Sequence, residues 1–165
     1  MKHPFPPVVP QGARVMVLGT FPSEASVKAG GYYGHPHNAF WPIMAEILET
    51  PWLRNPPGWA TRYMALRLNR IALWDIFATC EREDPSSDQG MKVVTPNDVW
   101  NLIARLPEIR GVILNGRAAW DGFREWTQPY LRNGIRVFVC PSTSARRRRR
   151  PPARPAWSPW ARRCR

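Results

Sequence analysis

The chain has 165 residues, of which 44% are hydrophobic and nine are tryptophan, so the sequence predicts one folded domain with a sizeable core. Its formal net charge is +12, but nine of the 24 basic residues are arginines in 145–165; the remaining body carries fifteen basic and twelve acidic residues and is only mildly basic. Three cysteines without CxxC spacing argue against a zinc module or a disulfide framework, and no apolar run approaches the ~20 residues of a membrane span.

The first half of the chain predicts two buried strands and two helices. The apolar run 14–18 ends at a glycine and is typical of a buried strand that enters a turn. Residues 40–48 have the apolar spacing of a helix, 52–58 are loop-like, and 60–69 fit a second helix. Residues 71–74 predict the second buried strand.

The second half continues the alternation. A polar stretch, 81–90, predicts a flexible connection. Thr95 and Pro96 suit the N-cap and first position of a helix that we expect to run to about residue 106. Residues 111–114 predict a third buried strand, 135–139 predict a last strand, and 117–126 predicts the helix between them.

Strands that alternate with helices predict an α/β fold whose mainly parallel sheet is covered on both faces. Ligands of such sheets bind beyond the carboxyl ends of the strands. The segments that follow the four predicted strands are 19–23, 75, 115–116 and 141–144. We therefore expect the functional site where these segments meet.

The stretch 30–42, GGYYGHPHNAFWP, follows the first of these ends and allows three interpretations. The first is a metal site at His35 and His37. A catalytic zinc site requires three protein ligands, and neither His3, Glu24 nor Asp75 completes a recognisable ligand spacing. The metal interpretation is therefore the weakest.

The other two interpretations divide the stretch between core and pocket. Phe40, Trp41 and Ile43 have the spacing of the apolar face of the following helix. Tyr33 and Asn38, with backbone amides of 20–23, could instead supply the aromatic face and the polar contacts that a planar heterocycle needs. The spacing alone does not decide between a pocket and a packed loop.

The remaining strand ends are equally open. The Asn115 amide has the donors and acceptor that suit a base edge, but Asn115-Gly116 is also an ordinary turn sequence. Residues 141–144 are either a phosphate-touching loop or a turn. Asp75 is more typical of a residue that caps or orients a loop than of a catalytic residue.

Taken together, the segments resemble the uracil-DNA glycosylase superfamily, and within it the family 6 hypoxanthine (deoxyinosine) DNA glycosylases. The resemblance spans roughly residues 4–144. Its most specific segment is YYGHPHNAFWP at 32–42, and it also includes LGTFPSEAS at 18–26, IALWD at 71–75, NG at 115–116 and PSTS at 141–144.

The resemblance implies a three-layer α/β/α sandwich around a four-stranded, mainly parallel sheet, with no metal or other cofactor. It implies a monofunctional enzyme that removes deaminated bases from damaged DNA, hypoxanthine foremost, and leaves an abasic site. The alternatives are removal of uracil from mismatched or single-stranded DNA, and DNA binding without efficient catalysis. We expect a cytoplasmic, nucleoid-associated monomer that does not bind membranes.

The resemblance also implies a role for individual residues. Asn38 would be catalytic, because it would position water against the sugar C1′. Tyr33 would stack on the flipped base and Asn115 would read its edge. The turn after the first strand would contact the base through Gly19, Thr20, Phe21, Pro22 and Ser23. Contacts with the DNA strand would come from His37, Pro141, Ser142, Thr143 and Ser144.

Three features depart from the family pattern. Ser23 stands where glycine is usual, and His37 stands where arginine is common. After Ser144 the family continues with Pro-Ala-Asn and a final helix, whereas this chain has Ala145 and five consecutive arginines. The sequence therefore predicts a glycosylase domain over 1–144 without its last helix, followed by an Arg/Pro-rich, disordered tail over 145–165.

Overall fold

A computed structural model describes residues 1–55, 58–82, 91–144, 157 and 159. The strands are β1 (Val15–Gly19), β2 (Ile71–Asp75), β3 (Phe77–Arg82), β4 (Met91–Pro96), β5 (Gly111–Asn115) and β6 (Arg136–Cys140). The α-helices are α1 (Glu24–Ala29), α2 (Phe40–Ile47), α3 (Trp59–Leu68), α4 (Val99–Ala104) and α5 (Arg117–Trp126). Two 3₁₀ turns, Pro51–Arg54 and Gln128–Tyr130, complete the secondary structure.

The central sheet has four strands in the order β2-β1-β5-β6, and every neighbouring pair is parallel. Leu18 of β1 lies opposite Trp74 of β2 on one side and Leu114 of β5 on the other. The shared register brings the carboxyl ends of the strands to one edge of the sheet. The predicted four-stranded parallel sheet is confirmed.

Helices cover both faces of this sheet. Successive side chains of a strand point to opposite faces: Val15 and Val17 pack in one cluster with residues of α2 and α3, whereas Met16 and Leu18 pack in another with residues of α4 and α5. The three-layer α/β/α prediction is therefore confirmed. The longest helices have ten residues, and within the described ranges none is long and apolar enough to cross a membrane.

The structure departs from the predictions at three places. Residues 95 and 96 do not start a helix but end β4, because they pair with β3 in an antiparallel hairpin. The following helix, α4, begins at Val99. Within the predicted loop 52–58, residues 52–54 belong to a 3₁₀ turn, and 56–57 lie outside the described residues. Within the predicted connection 81–90, residues 81–82 belong to β3, and 83–90 lie outside the described residues.

The N-terminal segment, residues 1–8, lies along β2 and β3. The backbone amide of His3 donates to the carbonyl of Ala78 at 2.7 Å, and the Met1 ammonium group donates to the carbonyl of Cys80 at 2.7 Å. Farther along, Val8 and Leu73 exchange two backbone hydrogen bonds. These contacts hold the segment beside the carboxyl end of β2.

Trp157 is fully buried in the cluster that contains α2 and α3. Its ring lies edge-on to Phe40 with centroids 6.2 Å apart, and its indole Nε1 donates to the carbonyl of Pro141 at 3.0 Å. The sequence predicts disorder for the tail over 145–165, but Trp157, which belongs to this tail, is packed in the core. Apart from residues 157 and 159, that prediction falls outside the described part of the chain.

Replacing Trp157 by alanine should destabilise the protein by about 3–5 kcal/mol, because the change empties a large core site and removes an indole hydrogen bond. Chemical denaturation followed by circular dichroism measures this change. Trp52→Ala is the matched control, since Trp52 is about half exposed and surface substitutions usually change stability by less than ~0.5 kcal/mol. Equal effects of the two substitutions would show that Trp157 is not a core residue in solution.

Candidate functional site

A cavity of about 160 Å³ opens at the carboxyl edge of the sheet, where the four strand ends meet as predicted. Most of the predicted site residues line it: Gly19, Thr20, Phe21, Pro22, Ser23, Tyr33, Asn38, Asn115, Ser142, Thr143 and Ser144. Two do not: His37 is exposed, and Pro141 uses its carbonyl to accept the Trp157 indole hydrogen bond. The cavity is thus built from loops fixed by a rigid sheet.

The first wall is the turn after β1, which leads into α1. Ser23 is the N-cap of that helix: its Oγ accepts a hydrogen bond from the Ser26 amide at 3.2 Å. The Ser26 hydroxyl contacts Ser23 Oγ at 3.0 Å and accepts from the Gly34 amide at 3.1 Å. The serine that replaces the usual glycine therefore joins the turn to the loop that carries Tyr33.

Tyr33 forms a second wall in a strained conformation, with φ of 56°, which non-glycine residues rarely adopt. Its ring stacks on Phe40 with centroids 4.0 Å apart. Its hydroxyl is buried and meets no described residue at hydrogen-bond geometry, although the neighbouring Asn115 side chain acts to lower its pKa. Burial, followed by the negative charge of Asp75, raises that pKa well above its ordinary value, so the hydroxyl stays protonated and can donate.

Asn38 lies at the start of α2. Its backbone amide donates to the His35 carbonyl at 2.9 Å, and its side-chain Oδ1 accepts from the Phe40 amide at 3.0 Å. The side-chain oxygen therefore satisfies one free amide at the helix start. Its Nδ2 donates to no described residue, so this group is available to a ligand or water.

Asp75 is a buried carboxylate at the end of β2. Its Oδ2 lies 2.8 Å from Nε2 of His3, and the two side chains are only 4% and 5% exposed. The Phe5 backbone amide points to Nδ1 of the same imidazole at 3.2 Å. In the neutral tautomer that accepts this amide, the imidazole proton is on Nε2 and is donated to Asp75.

The third wall is the loop after β6, which Asn115 holds in place. Its Nδ2 donates to Thr143 Oγ1 and its Oδ1 accepts from the Thr143 amide, both at 2.9 Å. The Thr143 carbonyl in turn accepts from the Ala39 amide at 3.0 Å. The next residue, Gly116, has φ of 99°, and a Cβ there would stand 2.9 Å from Ser142 Cβ, so the turn requires glycine.

The sequence analysis missed His3 and Ser26 as parts of the site. Ser26 could have been found, because it is three residues after Ser23, and the amide at that position is a usual donor to the side chain of a serine N-cap. His3 could not, since it meets Asp75 across 72 positions of the chain. Among the described residues, no group of three or more His, Cys, Asp or Glu side chains could hold a metal ion.

Comparison with known proteins places this architecture among DNA glycosylases. The family model described as the uracil DNA glycosylase superfamily matches residues 6–161, and so extends past Ser144. A hypoxanthine DNA glycosylase of Methanosarcina acetivorans is 31% identical over 150 residues, which cover 90% of each chain. A hypoxanthine DNA glycosylase of Methanosarcina barkeri is 30% identical over 149 residues, covering 90% of this chain and 89% of that one.

A solved structure agrees with the fold. The solution NMR structure of a protein from Methanosarcina acetivorans, assigned as a uracil DNA glycosylase, superposes with a TM-score of 0.71 at 31% identity. The match covers 85% of this chain and 83% of that chain.

Replacing Asn115 by leucine should lower the free energy of unfolding by about 2–4 kcal/mol, because both hydrogen bonds to Thr143 are lost inside the protein. Amide hydrogen exchange should show faster exchange at Thr143, with little change in the sheet. Asn133→Leu is the control, because Asn133 is exposed. Unchanged protection of the Thr143 amide would mean that the loop is held by other contacts.

Proposed function

Because this chain belongs to the uracil DNA glycosylase superfamily, we propose that it hydrolyses the N-glycosidic bond of hypoxanthine in DNA and leaves an abasic site. The DNA glycosylase activity follows from the family. The preference for hypoxanthine is supported by the two relatives that carry this activity in their names and cover about nine tenths of the chain.

The observation that carries the proposal is the position of Asn38 on the wall of the cavity, with an Nδ2 that donates to none of the described residues. Cleavage of a glycosidic bond passes through an oxocarbenium-like transition state, which a positioned water can attack without a strong base. A neutral amide that orients this water supplies positioning rather than proton transfer. The reaction we propose needs neither a metal nor another cofactor.

The remaining contacts divide between base and DNA strand. We propose that the turn over 19–23 contacts the extruded base. Because the Tyr33 ring already stacks on Phe40, we propose that Tyr33 meets the edge of the base through its hydroxyl rather than stacking on it. Thr143 engages one N–H of the Asn115 side chain and one lone pair of its Oδ1. Asn115 can therefore contact the base only through its second N–H and its second lone pair. The loop Ser142–Ser144, with Pro141, is proposed to press on the DNA strand.

The charge of the protein suits this partner. The exposed His37 and the arginines of the body and of 145–165 would contact phosphates of the damaged DNA, a contribution that weakens with salt. We propose that the protein acts as a monomer, since a single chain supplies every wall of the cavity.

Duplex DNA containing deoxyinosine should be cleaved to an abasic site faster than the same duplex containing deoxyuridine or deoxyxanthosine. Single-turnover assays with each lesion, read after alkaline strand cleavage, test this order. EDTA should leave the rate unchanged. Faster cleavage at uracil would favour the uracil enzyme, and DNA binding without abasic product would favour a protein that binds without catalysis.

Replacing Asn38 by alanine should lower the single-turnover rate about 10²-fold or more, because the water loses its positioning contact. The substitution also removes the acceptor for the Phe40 amide, which by itself costs about 1 kcal/mol of stability. Asn38→Ser separates the two effects, since serine caps a helix start well but is too short to replace the amide. We expect Asn38→Ser to be stable and as slow as Asn38→Ala; a fully active variant would show that Asn38 is not catalytic.

A further inference from the structure

The Asp75 carboxylate lines the cavity, and only half of its hydrogen-bonding capacity is used. Oδ2 accepts from His3, whereas Oδ1 accepts from no described residue. Oδ1 lies directly against Gly19: a Cβ at that position would overlap Oδ1 and would stand 2.8 Å from the Tyr33 hydroxyl oxygen. Glycine is therefore what allows the carboxylate and the hydroxyl to approach the cavity together.

The buried Tyr33 hydroxyl has no hydrogen-bond partner among the described residues, which is costly, whereas Asp75 Oδ1 is not fully buried and belongs to a residue that lines the cavity. The two groups lie on the same side of Gly19 but make no hydrogen bond with each other. An unsatisfied buried hydroxyl beside a carboxylate oxygen that no described residue contacts by a hydrogen bond calls for an explanation, and a bound ligand is one. Here the ligand must bring a donor to Asp75 and an acceptor to Tyr33.

A ring N–H beside a carbonyl has this combination, and every lactam base presents it. Building on the proposed function, we propose that Asp75 accepts the N1–H of the extruded hypoxanthine through Oδ1, and that His3 is the positioning residue that aims this oxygen. The Tyr33 hydroxyl is the donor that adjoins it and matches the C6 carbonyl. In the same orientation adenine would turn the N1 lone pair toward the carboxylate, which repels it.

His3 can aim the carboxylate because its own orientation is fixed. Its Nδ1 accepts from the Phe5 amide, and its ring packs edge-on to Phe21 with centroids 5.5 Å apart. The backbone of the same residue is tied to Ala78. The imidazole N–H therefore holds Oδ2 and leaves only Oδ1 for the base.

The first experiment uses the unmodified protein and free bases, so it requires neither mutation nor catalysis. Isothermal titration measures binding of hypoxanthine, 1-methylhypoxanthine and purine. A charge-assisted hydrogen bond predicts that hypoxanthine binds about 10- to 100-fold more tightly than purine, which lacks both the N–H and the carbonyl, or 1-methylhypoxanthine, which lacks the N–H. Equal affinities, or no binding of any base, would overturn the proposal.

The second experiment assigns the preference to residues. The ratio of hypoxanthine to 1-methylhypoxanthine affinity should fall to about one in Asp75→Ala and should decrease in His3→Ala. His3→Gln should restore it, because the glutamine amide can donate to Oδ2. Lys2→Ala is the control within the N-terminal segment, since the Lys2 side chain is exposed. A merely structural role for His3 would lower stability without changing this ratio.

Tyr33→Phe distinguishes a hydrogen bond from stacking, because only the hydroxyl is lost. Weaker binding of hypoxanthine, with purine unchanged, supports the donor; equal weakening of both bases counts against it. The base-binding ratio also separates this inference from the proposed function. If the protein prefers hypoxanthine over 1-methylhypoxanthine but releases no base from DNA, the inference about Asp75 stands and the proposed activity is refuted. If the protein releases hypoxanthine from DNA without that preference, the activity stands and the inference about Asp75 is refuted.

Discussion

All four strands of the central sheet run in the same direction, and the cavity exists because of this constraint. Parallel register places the ends of β1, β2, β5 and β6 at one edge, so that loops far apart in sequence become neighbours. The two apolar clusters on the faces of the sheet hold the strands in that register. The core thus keeps the sheet rigid, and the loops carry the residues of the candidate site.

The site is held together mainly by polar contacts between buried groups. Asn115 fixes Thr143, and His3 fixes Asp75. Each such hydrogen bond adds little net stability, but a buried polar group that loses its partner destabilises the protein strongly. Each bond therefore restricts its loop to a single position. This is the behaviour required of a pocket that must hold a flat base in one orientation.

Sequence patterns predicted the parts of the fold whose signal is local. Apolar runs identified the sheet strands, and α5 was predicted with its observed bounds. The β3–β4 hairpin was missed because these strands are stabilised by pairing with each other, as between Thr79 and Thr95, and no local pattern of residues predicts that pairing. Most residues of the candidate site followed from a family resemblance, but the partner of Asp75 did not. No periodicity or spacing relates positions 3 and 75, and only the folded chain brings them together.

The pairing of His3 with Asp75 has a consequence for the order of folding. During synthesis His3 is made 72 residues before the carboxylate that it contacts. The N-terminal segment can contact Phe21 and Tyr32 earlier, but it cannot complete its contacts until β2 has been made. Closing so long a loop costs entropy that must be recovered from contacts already formed. The Asp75 carboxylate therefore acquires its imidazole partner only after the second strand of the sheet has been made.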